Sequence, residues 1–413
     1  MKKTILLGAV ALLATTAFAA AAPLGQFTDH QDIGKPRHPG SASYDATTRT
    51  YRITAGGQNM WANHDDFHYV WKKMSGDVRA SVDLTFVSPA PPPGAPGVIH
   101  RKGGIILRQD LDPDSAYVDV LRMGNEQLSL QYREKKGDET HLIWINTARQ
   151  GTVRLEKIGD YVYLSVPGAD GKLHHAGGSF KLHLTGPYYI GLGVCPHDDS
   201  KTETMAFKNL KIEPAKSVAW TKDATLQTMA VANTHEDQLE QTAVVTTTGG
   251  LGDVAWEPDG KSLTYRSGGA FWRVAAEGME TKAPQKIATA AAGPRENTAW
   301  VYYSDAKSGK LWRVRPNGSG RAQVTKDSGT RDFSPHVSPD GKWLLYASAP
   351  AGTTARRDSD LDIRLIPIAN GNPDLDRAVT MAKPYGGADA LAFDPWSADS
   401  KSFAFVSHQP GPE

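Results

Sequence analysis

A tryptophan and several planar polar side chains lie between positions 61 and 133 of the chain. They are Trp61, Asp66, His68, Arg108, Gln131 and Arg133. An indole ring can cover the C–H face of a sugar, while guanidinium, amide and carboxylate groups form paired hydrogen bonds with its hydroxyls. These residue types therefore predict a site for a glycan or a similar polar ligand. The alternative is that Trp61 belongs to the core and that the arginines lie on a solvated strand face.

The stretch from Arg101 to Glu134 must position most of these residues. It contains three short segments of strand type, GIILRQ, AYVDVLR and LSLQYRE. Side chains alternate between the two faces of a strand. Arg108, Gln131 and Arg133 are therefore predicted to share one sheet face, provided that the three strands are neighbours in register.

Two further clusters contain histidine and aspartate. His64 and His68 are four residues apart, but on strands they would stand about 13 Å apart, so a polar edge is favoured over a metal site. His197 is followed by two aspartates in a loop after a strand, where the cluster could orient a ligand or simply stabilise a solvated turn. We include His197 among the predicted ligand-binding residues and predict no metal ligands.

The sequence supports no particular reaction. Asp119, Glu126 and Glu134 are available as acids or bases, yet no spacing marks two of them as a glycosidase pair. The GxSxG and CxxC motifs are absent, and DGKS at 259–262 is typical of a hairpin turn. We therefore favour a binding protein without catalytic residues or cofactors, and keep as the alternative a hydrolase that acts on a sugar derivative in the sandwich cleft.

Composition and the N-terminus narrow the compartment and the partners. The 413 residues carry 46 Lys and Arg against 45 Asp and Glu, which argues against a nucleic-acid partner. Residues 1–22 have two lysines, an apolar run and small residues, the pattern of a signal peptide, so we expect a secreted or periplasmic protein without a membrane span after cleavage. Cys195 is the only cysteine, and a buried thiol at a strand end is the favoured interpretation.

Residues 23–215 are predicted to form a β-sandwich, because many short alternating segments are separated by Gly, Pro and Asp turns. The proline-rich segment at 88–97 cannot join a ladder and is expected to be an extended rim loop. The blocks YRITAGGQNMWANHDDFHYVWKKMSGDVRASV, RKGGIILRQDLDPDSAYVDV and LSLQYRE resemble the concanavalin-A-like, laminin-G-like domain over about residues 26–213. The resemblance implies a two-sheet jelly roll, a fold that is often carbohydrate-binding but is shared by binders and hydrolases.

Residues 216–413 contain a repeat of about 40 residues. DVAWEPDGKSLTYRS, HVSPDGKWLLYAS and FDPWSADSKSFAFVS share an aspartate turn followed by an alternating strand, and NTAWVYYSDAKSG is a degenerate copy. This half resembles the TolB-like β-propeller, which implies envelope proteins as partners. Only about four blades are present, so the strand at 225–233 either pairs with FAFVS to close the ring or leaves exposed sheet edges.

The predicted propeller contains six tryptophans and a charged insert. The six tryptophans between Trp256 and Trp396 are expected to pack mainly between blades. The insert at 348–362 is charged and is expected at one face, where partners would dock. The predicted fold class is therefore all-β: a jelly-roll sandwich followed by a small propeller that offers a surface for protein contacts.

Overall fold

The structure is a computed structural model of the chain. It describes residues 24–87, 98–145, 151–167, 171–215, 224–231, 238–247, 251–257, 259–276, 283–287, 300–315, 317–353 and 360–408. The predicted signal peptide (1–22) and the predicted rim loop (88–97) lie outside the described residues. No helix among the residues described is long and apolar enough to cross a membrane.

The described residues before Ala215 form sixteen strands. They are β1 (Asp29–Ile33), β2 (Ser41–Asp45), β3 (Thr50–Ala55), β4 (Met60–Trp61), β5 (His64–Asp65), β6 (Phe67–Met74), β7 (Val78–Phe86), β8 (Lys102–Arg108), β9 (Tyr117–Met123), β10 (Leu128–Arg133), β11 (His141–Ile145), β12 (Thr152–Ile158), β13 (Tyr161–Pro167), β14 (Leu173–Lys181), β15 (Tyr188–Cys195) and β16 (Glu203–Pro214). A short 3₁₀ helix covers Val98–His100.

These strands form two antiparallel sheets and a small hairpin. The first sheet has the order β1-β6-β15-β8-β9-β10-β11, and the second has the order β14-β13-β12-β7-β16-β3-β2. The hairpin pairs β4 with β5. Val70 and Leu130 from the first sheet share one apolar core with Val82 and Phe207 from the second. The alternating apolar residues of the sequence therefore fill the space between two sheets, as in a sandwich.

The remaining strands follow position 223. They are β17 (Ala224–Ala230), β18 (Gln238–Thr247), β19 (Gly252–Trp256), β20 (Ser262–Ser267), β21 (Ala270–Ala275), β22 (Gln285–Ile287), β23 (Val301–Asp305), β24 (Lys310–Val314), β25 (Ala322–Gln323), β26 (Thr330–Val337), β27 (Trp343–Pro350), β28 (Asp362–Ala369), β29 (Asn372–Pro373), β30 (Val379–Ala382) and β31 (Ser402–His408), with 3₁₀ helices at Leu375–Arg377 and Gly387–Leu391.

Among the described residues, three small sheets and one end of a larger sheet correspond to the predicted blades. They are β19–β22, β23–β25, β26–β30 and the group β18-β17-β31. The Asp-Gly turns end hairpins as expected, because Gly260 and Gly341 have φ angles of 64° and 72°, which glycine adopts at little cost. The fold is therefore all-β, with a sandwich followed by propeller-like sheets.

The strand near 225–233 pairs with the last repeat, which is one of the two predicted alternatives. In the antiparallel register, Leu226 of β17 is opposite Val406 of β31. On its other side β17 pairs with β18, and β18 runs parallel to β11 of the sandwich, with Ile143 opposite Leu239. The first sandwich sheet and the last blade are therefore one continuous ten-stranded sheet, which the sequence did not predict.

The apolar core also continues across this junction. Phe333, Ile363 and Phe405 belong to the same cluster of buried side chains as Val82 and Leu130. Two of the repeat tryptophans, Trp256 and Trp396, are fully buried, which agrees with packing within and between blades. Cys195 ends β15 and is fully buried, and burial raises the pKa of its thiol to about 11.

Candidate functional site

The structure brings the two predicted arginines onto one sheet face. Arg108 of β8 is paired with Tyr117 of β9, and Tyr117 is paired with Arg133 of β10. Gln131 is opposite Asp119 and shares the face with Arg133, from which it is separated by one residue. The prediction that these polar residues share a face is confirmed.

This face is covered, because Asp65 of the β4–β5 hairpin lies between the two guanidinium groups. Its Oδ2 accepts hydrogen bonds from Nη1 of Arg108 (2.7 Å) and Nη1 of Arg133 (3.0 Å), and its Oδ1 accepts one from Nη2 of Arg133 (2.9 Å). All three side chains are fully buried. The arginines are therefore not on a solvated strand face.

Backbone carbonyls occupy further donors of both arginines. Nη2 of Arg108 donates to the oxygen of Asp112, at 2.6 Å, and Nη2 of Arg133 donates to the oxygen of Ala62, at 2.8 Å. Buried guanidinium groups need such partners, because an unpaired charge in the interior is strongly unfavourable. The group holds the hairpin onto the sheet, and a ligand would have to displace the hairpin before it could reach these arginines.

Buried polar atoms without a partner lie beside this cluster. Oε1 of Gln131, Oδ2 of Asp119 and Oγ of Ser129 are buried and have no hydrogen-bond partner in the structure. Burial raises the pKa of Asp119 well above its usual value. Burial thereby favours the protonated form of this carboxyl, and the nearby charges of Lys102 and Arg108 oppose that effect.

Asp66 and His68 follow the hairpin but point to different partners. Oδ1 of Asp66 accepts the backbone N–H of Lys35 at 2.7 Å. His68 is buried, and its Nδ1 lies 2.6 Å from Oδ1 of Asp32. Trp61 lies half-buried in β4, paired with His64.

His197 lies apart from the arginines, in the loop that follows β15. Its φ angle is 59°, and its ring centroid is 4.9 Å from that of His100. Burial, with Lys102 and His100 nearby, lowers the pKa of His197 to about 4, so the ring is neutral at neutral pH. Among the described residues, no group of three or more His, Cys, Asp or Glu side chains could hold a metal ion.

A cleft with an open mouth lies between the two halves of the molecule. A cleft of about 510 Å³ is lined by Glu134, Lys135, Tyr161, Lys181, Leu182 and His183 of the sandwich and by Gly329, Thr330, Ser348, Ala349, Pro350, Asp360, Leu361, Asp362 and Lys383 of the propeller-like sheets. We call this the interdomain cleft. Its volume is in the usual range for small-ligand sites.

Charged and aromatic groups cross the interdomain cleft. Asp360 accepts hydrogen bonds from the hydroxyl of Tyr161 and from Nζ of Lys181. Lys383 donates to Glu134. Burial raises the pKa of Asp362. The charges of Lys383 and Arg364 oppose this effect, and the carboxylates of Glu134 and Asp360 add to it. The cleft therefore presents carboxylates, ammonium groups and a phenol within one cavity.

Sequence reasoning missed most of this cleft. Tyr161, Lys181 and Lys383 carried no motif, because they meet only through contacts between distant parts of the chain. A signal was present in the charged insert at 348–362, since its two ends contribute Ser348 and Asp362 to the wall. Residues 354–359 of the insert lie outside the described residues.

Comparisons with known proteins give a limited result. No family model matches the chain. The chain is 30% identical to an uncharacterized protein, Atu1656, from Agrobacterium fabrum over 165 residues. The matched region covers 38% of this chain and 54% of that protein. The chain thus spans about half the length of the curated relative that it matches.

Two solved structures illustrate the structural similarities. An Agrobacterium tumefaciens protein described as a TolB is 16% identical, covers 81% of this chain and 99% of its own, and has a TM-score of 0.25. Domains LG4-5 of the mouse laminin alpha1 chain are 10% identical, cover 90% and 98%, and have a TM-score of 0.22. Because both scores are low, neither structure carries an argument about function.

Proposed function

We propose that the chain is a secreted or periplasmic binding protein that takes a glycan or similar polar ligand in the interdomain cleft. In this proposal a sandwich domain (23–215) and a propeller domain (216–413) each form one wall. The observation that supports it is the cleft itself, with Asp360, Lys181 and Lys383 directed into one cavity of about 510 Å³. Sites for polar ligands combine a concave surface with a few convergent polar groups.

The cleft has the chemistry that sugar hydroxyls need. Carboxylates such as Asp360 accept hydrogen bonds, ammonium groups such as Lys181 donate them, and Tyr161 adds an aromatic ring. The existing contacts between Asp360 and Lys181 and between Lys383 and Glu134 hold these groups in place before a ligand arrives. Preorganised groups lose less entropy on binding.

The proposal differs from the sequence-based site. Arg108 and Arg133 have their donors bound to Asp65 and to carbonyl groups beneath the hairpin. The interdomain cleft requires no such rearrangement. We therefore assign ligand contact to the cleft, and assign to the two arginines the role of fixing the hairpin.

A glycan array probed with the full chain tests the proposal. We expect binding to a defined subset of glycans, and Lys383→Ala should weaken it at least about tenfold, because a hydrogen bond to a charged group contributes about 1.5–3 kcal/mol. Lys208→Ala is the control, since Lys208 lies in a separate groove of about 380 Å³ on the second sheet. Equal losses in both variants, or no binding to any glycan, would refute the proposal.

A hydrolase is the second candidate, and one observation favours it. Asp362 is a largely buried carboxyl with a raised pKa in the same cleft as Glu134. Glycoside hydrolysis uses two carboxyl groups that flank the scissile bond, and a raised pKa suits the one that acts as the acid. Release of reducing ends from a bound glycan, lost in Asp362→Asn while binding persists, would establish this activity. Protein contacts on the propeller, including contacts with an envelope complex, stay a prediction.

A further inference from the structure

Three side chains at the edge of the first sandwich sheet form a continuous hydrogen-bonded chain. Asp32 and His30 belong to the edge strand β1, and His68 belongs to β6, where it is paired with Asp32. Nδ1 of His68 lies 2.6 Å from Oδ1 of Asp32, and Nε2 of His68 lies 2.9 Å from Nδ1 of His30. The order is therefore carboxylate, inner imidazole, outer imidazole.

The surroundings fix the inner two members. His68 is 1% exposed, and Gly40 is packed against it so closely that a Cβ atom at position 40 would lie 2.3 Å from the imidazole ring. The N–H of Gly40 also donates to both oxygens of Asp32, at 3.0 and 3.2 Å. Only glycine fits at position 40, and it holds the carboxylate and the ring in one arrangement.

The carboxylate determines where the protons lie. Asp32 accepts hydrogen bonds, so Nδ1 of His68 carries a proton and donates it. In a neutral ring Nε2 of His68 is then an acceptor, and Nδ1 of His30 must be the donor to it. Nε2 of His30 is left with a lone pair. The side chain of His30 is half-buried, and Nε2 is the ring nitrogen that does not contact His68.

This order matches the logic of a nucleophile, a base and an orienting acid. We propose that His30 is a nucleophile toward activated acyl groups, with His68 as its base and Asp32 as the positioning residue. Nε2 of His30 attacks the carbonyl carbon of an ester and forms a C–N bond, while the C–O bond to the leaving group breaks. The Nδ1 proton of His30 passes to Nε2 of His68, and the leaving group departs as its anion.

Asp32 stabilises the imidazolium that forms on His68. Burial lowers the pKa of His68, which keeps it neutral and able to accept a proton, and the carboxylate of Asp32 opposes that effect once the proton arrives. Water then hydrolyses the acyl-imidazole, which returns the carboxylic acid and the starting histidine. The site is separate from the interdomain cleft, so it does not rest on the proposed function.

Site-resolved acetylation of the full wild-type chain by 4-nitrophenyl acetate tests this assignment. His183 provides an internal control, because it is exposed and its Nδ1 lies 2.9 Å from Asp160, without a second imidazole. We expect mass spectrometry to show His30 acetylated at least about tenfold faster than His183, since a positioned general base contributes that much or more. Equal rates at the two histidines, or no acetyl group on His30, would overturn the proposal.

Variants extend the test to the other two groups. Asp32→Asn should slow acetylation of His30 and move the midpoint of its pH profile to lower pH, because the carboxylate no longer raises the pKa of His68. Lys208→Ala, in the separate groove on the second sheet, should leave the rate at His30 unchanged. A pH profile for His30 that is the same in Asp32→Asn and wild type would exclude the relay. If Asp32→Asn fails to fold, the comparison within the wild-type chain still decides the matter.

Discussion

The side chain of Asp65 covers a polar strand face that would otherwise be open to a ligand. The sequence predicts that Arg108, Gln131 and Arg133 point the same way, because alternation along a strand depends only on local geometry. It could not predict that Asp65 covers them, since that contact depends on where a two-residue hairpin folds back. The polar residues do share one face, but the hydrogen bonds of Arg108 and Arg133 are made to other groups of the protein.

We predict that Asp65→Ala strongly destabilises the fold. Removal of this carboxylate leaves two buried arginines without a counter-charge, which typically costs about 3–5 kcal/mol. Urea unfolding of the variant and the wild type measures the difference. Arg37→Gln is the control, because its ion pair with Asp199 is largely exposed and should contribute less than about 1 kcal/mol. Similar losses in the two variants would contradict this role for Asp65.

The lowered pKa values of His68 and His197 should make the stability of the fold depend on pH. The pKa of His197 is lowered to about 4 and that of His68 is also lowered, whereas an unfolded histidine titrates near 6.5. Below about pH 6.5 the unfolded chain binds protons that the folded chain does not, so stability falls as the pH drops toward about 4. Melting temperatures of His197→Asn should fall less steeply over this range than those of wild type. Parallel curves would argue against the lowered pKa.

At the scale of strands, local patterns predicted elements better than their partners. The predicted strand segment LSLQYRE contains β10 (Leu128–Arg133), because alternation and flanking turns mark it. The parallel pairing of β11 with β18 had no such mark, since parallel neighbours are joined by long connections and share no turn. The continuous sheet therefore cannot be predicted from single segments, because it depends on pairing between distant strands.

We predict that β31 is needed to hold β17. A chain that ends at Ser400 lacks the strand that pairs with β17, so hydrogen exchange of the β17 amides should become much faster. Peptides from β3 and β16, which pair with each other in the second sheet, should keep their protection. A chain that ends at His408 retains β31 and is the matched control. Unchanged exchange in β17 of the shorter chain would contradict the pairing.

A large apolar cluster extends from the sandwich into the propeller-like sheets, and smaller clusters lie beside it within those sheets. Leu130 and Phe405 belong to the same buried cluster, and the ten-stranded sheet passes through both halves. The sequence indicates two bodies, because the repeat begins after the sandwich-like segments end. It does not indicate how firmly they are joined, since that depends on pairing between distant strands.

We predict one cooperative thermal transition for the full chain. Unfolding of either half would expose the core and the sheet edge of the other, so the two halves should melt together. Scanning calorimetry at several scan rates measures this. Two resolved peaks would show that the shared core contributes little to stability.

The interdomain cleft is the central assignment, and calorimetric titration of an array-selected glycan tests it most directly. The titration should compare wild type with Lys383→Ala and with the control Lys208→Ala. All three need the same salt concentration, because dissolved salt screens ionic contacts. We predict saturable binding to wild type and to Lys208→Ala. The dissociation constant of Lys383→Ala should be at least about tenfold higher than that of wild type. Equal affinity of Lys383→Ala and wild type would contradict the assignment of the site to this cleft.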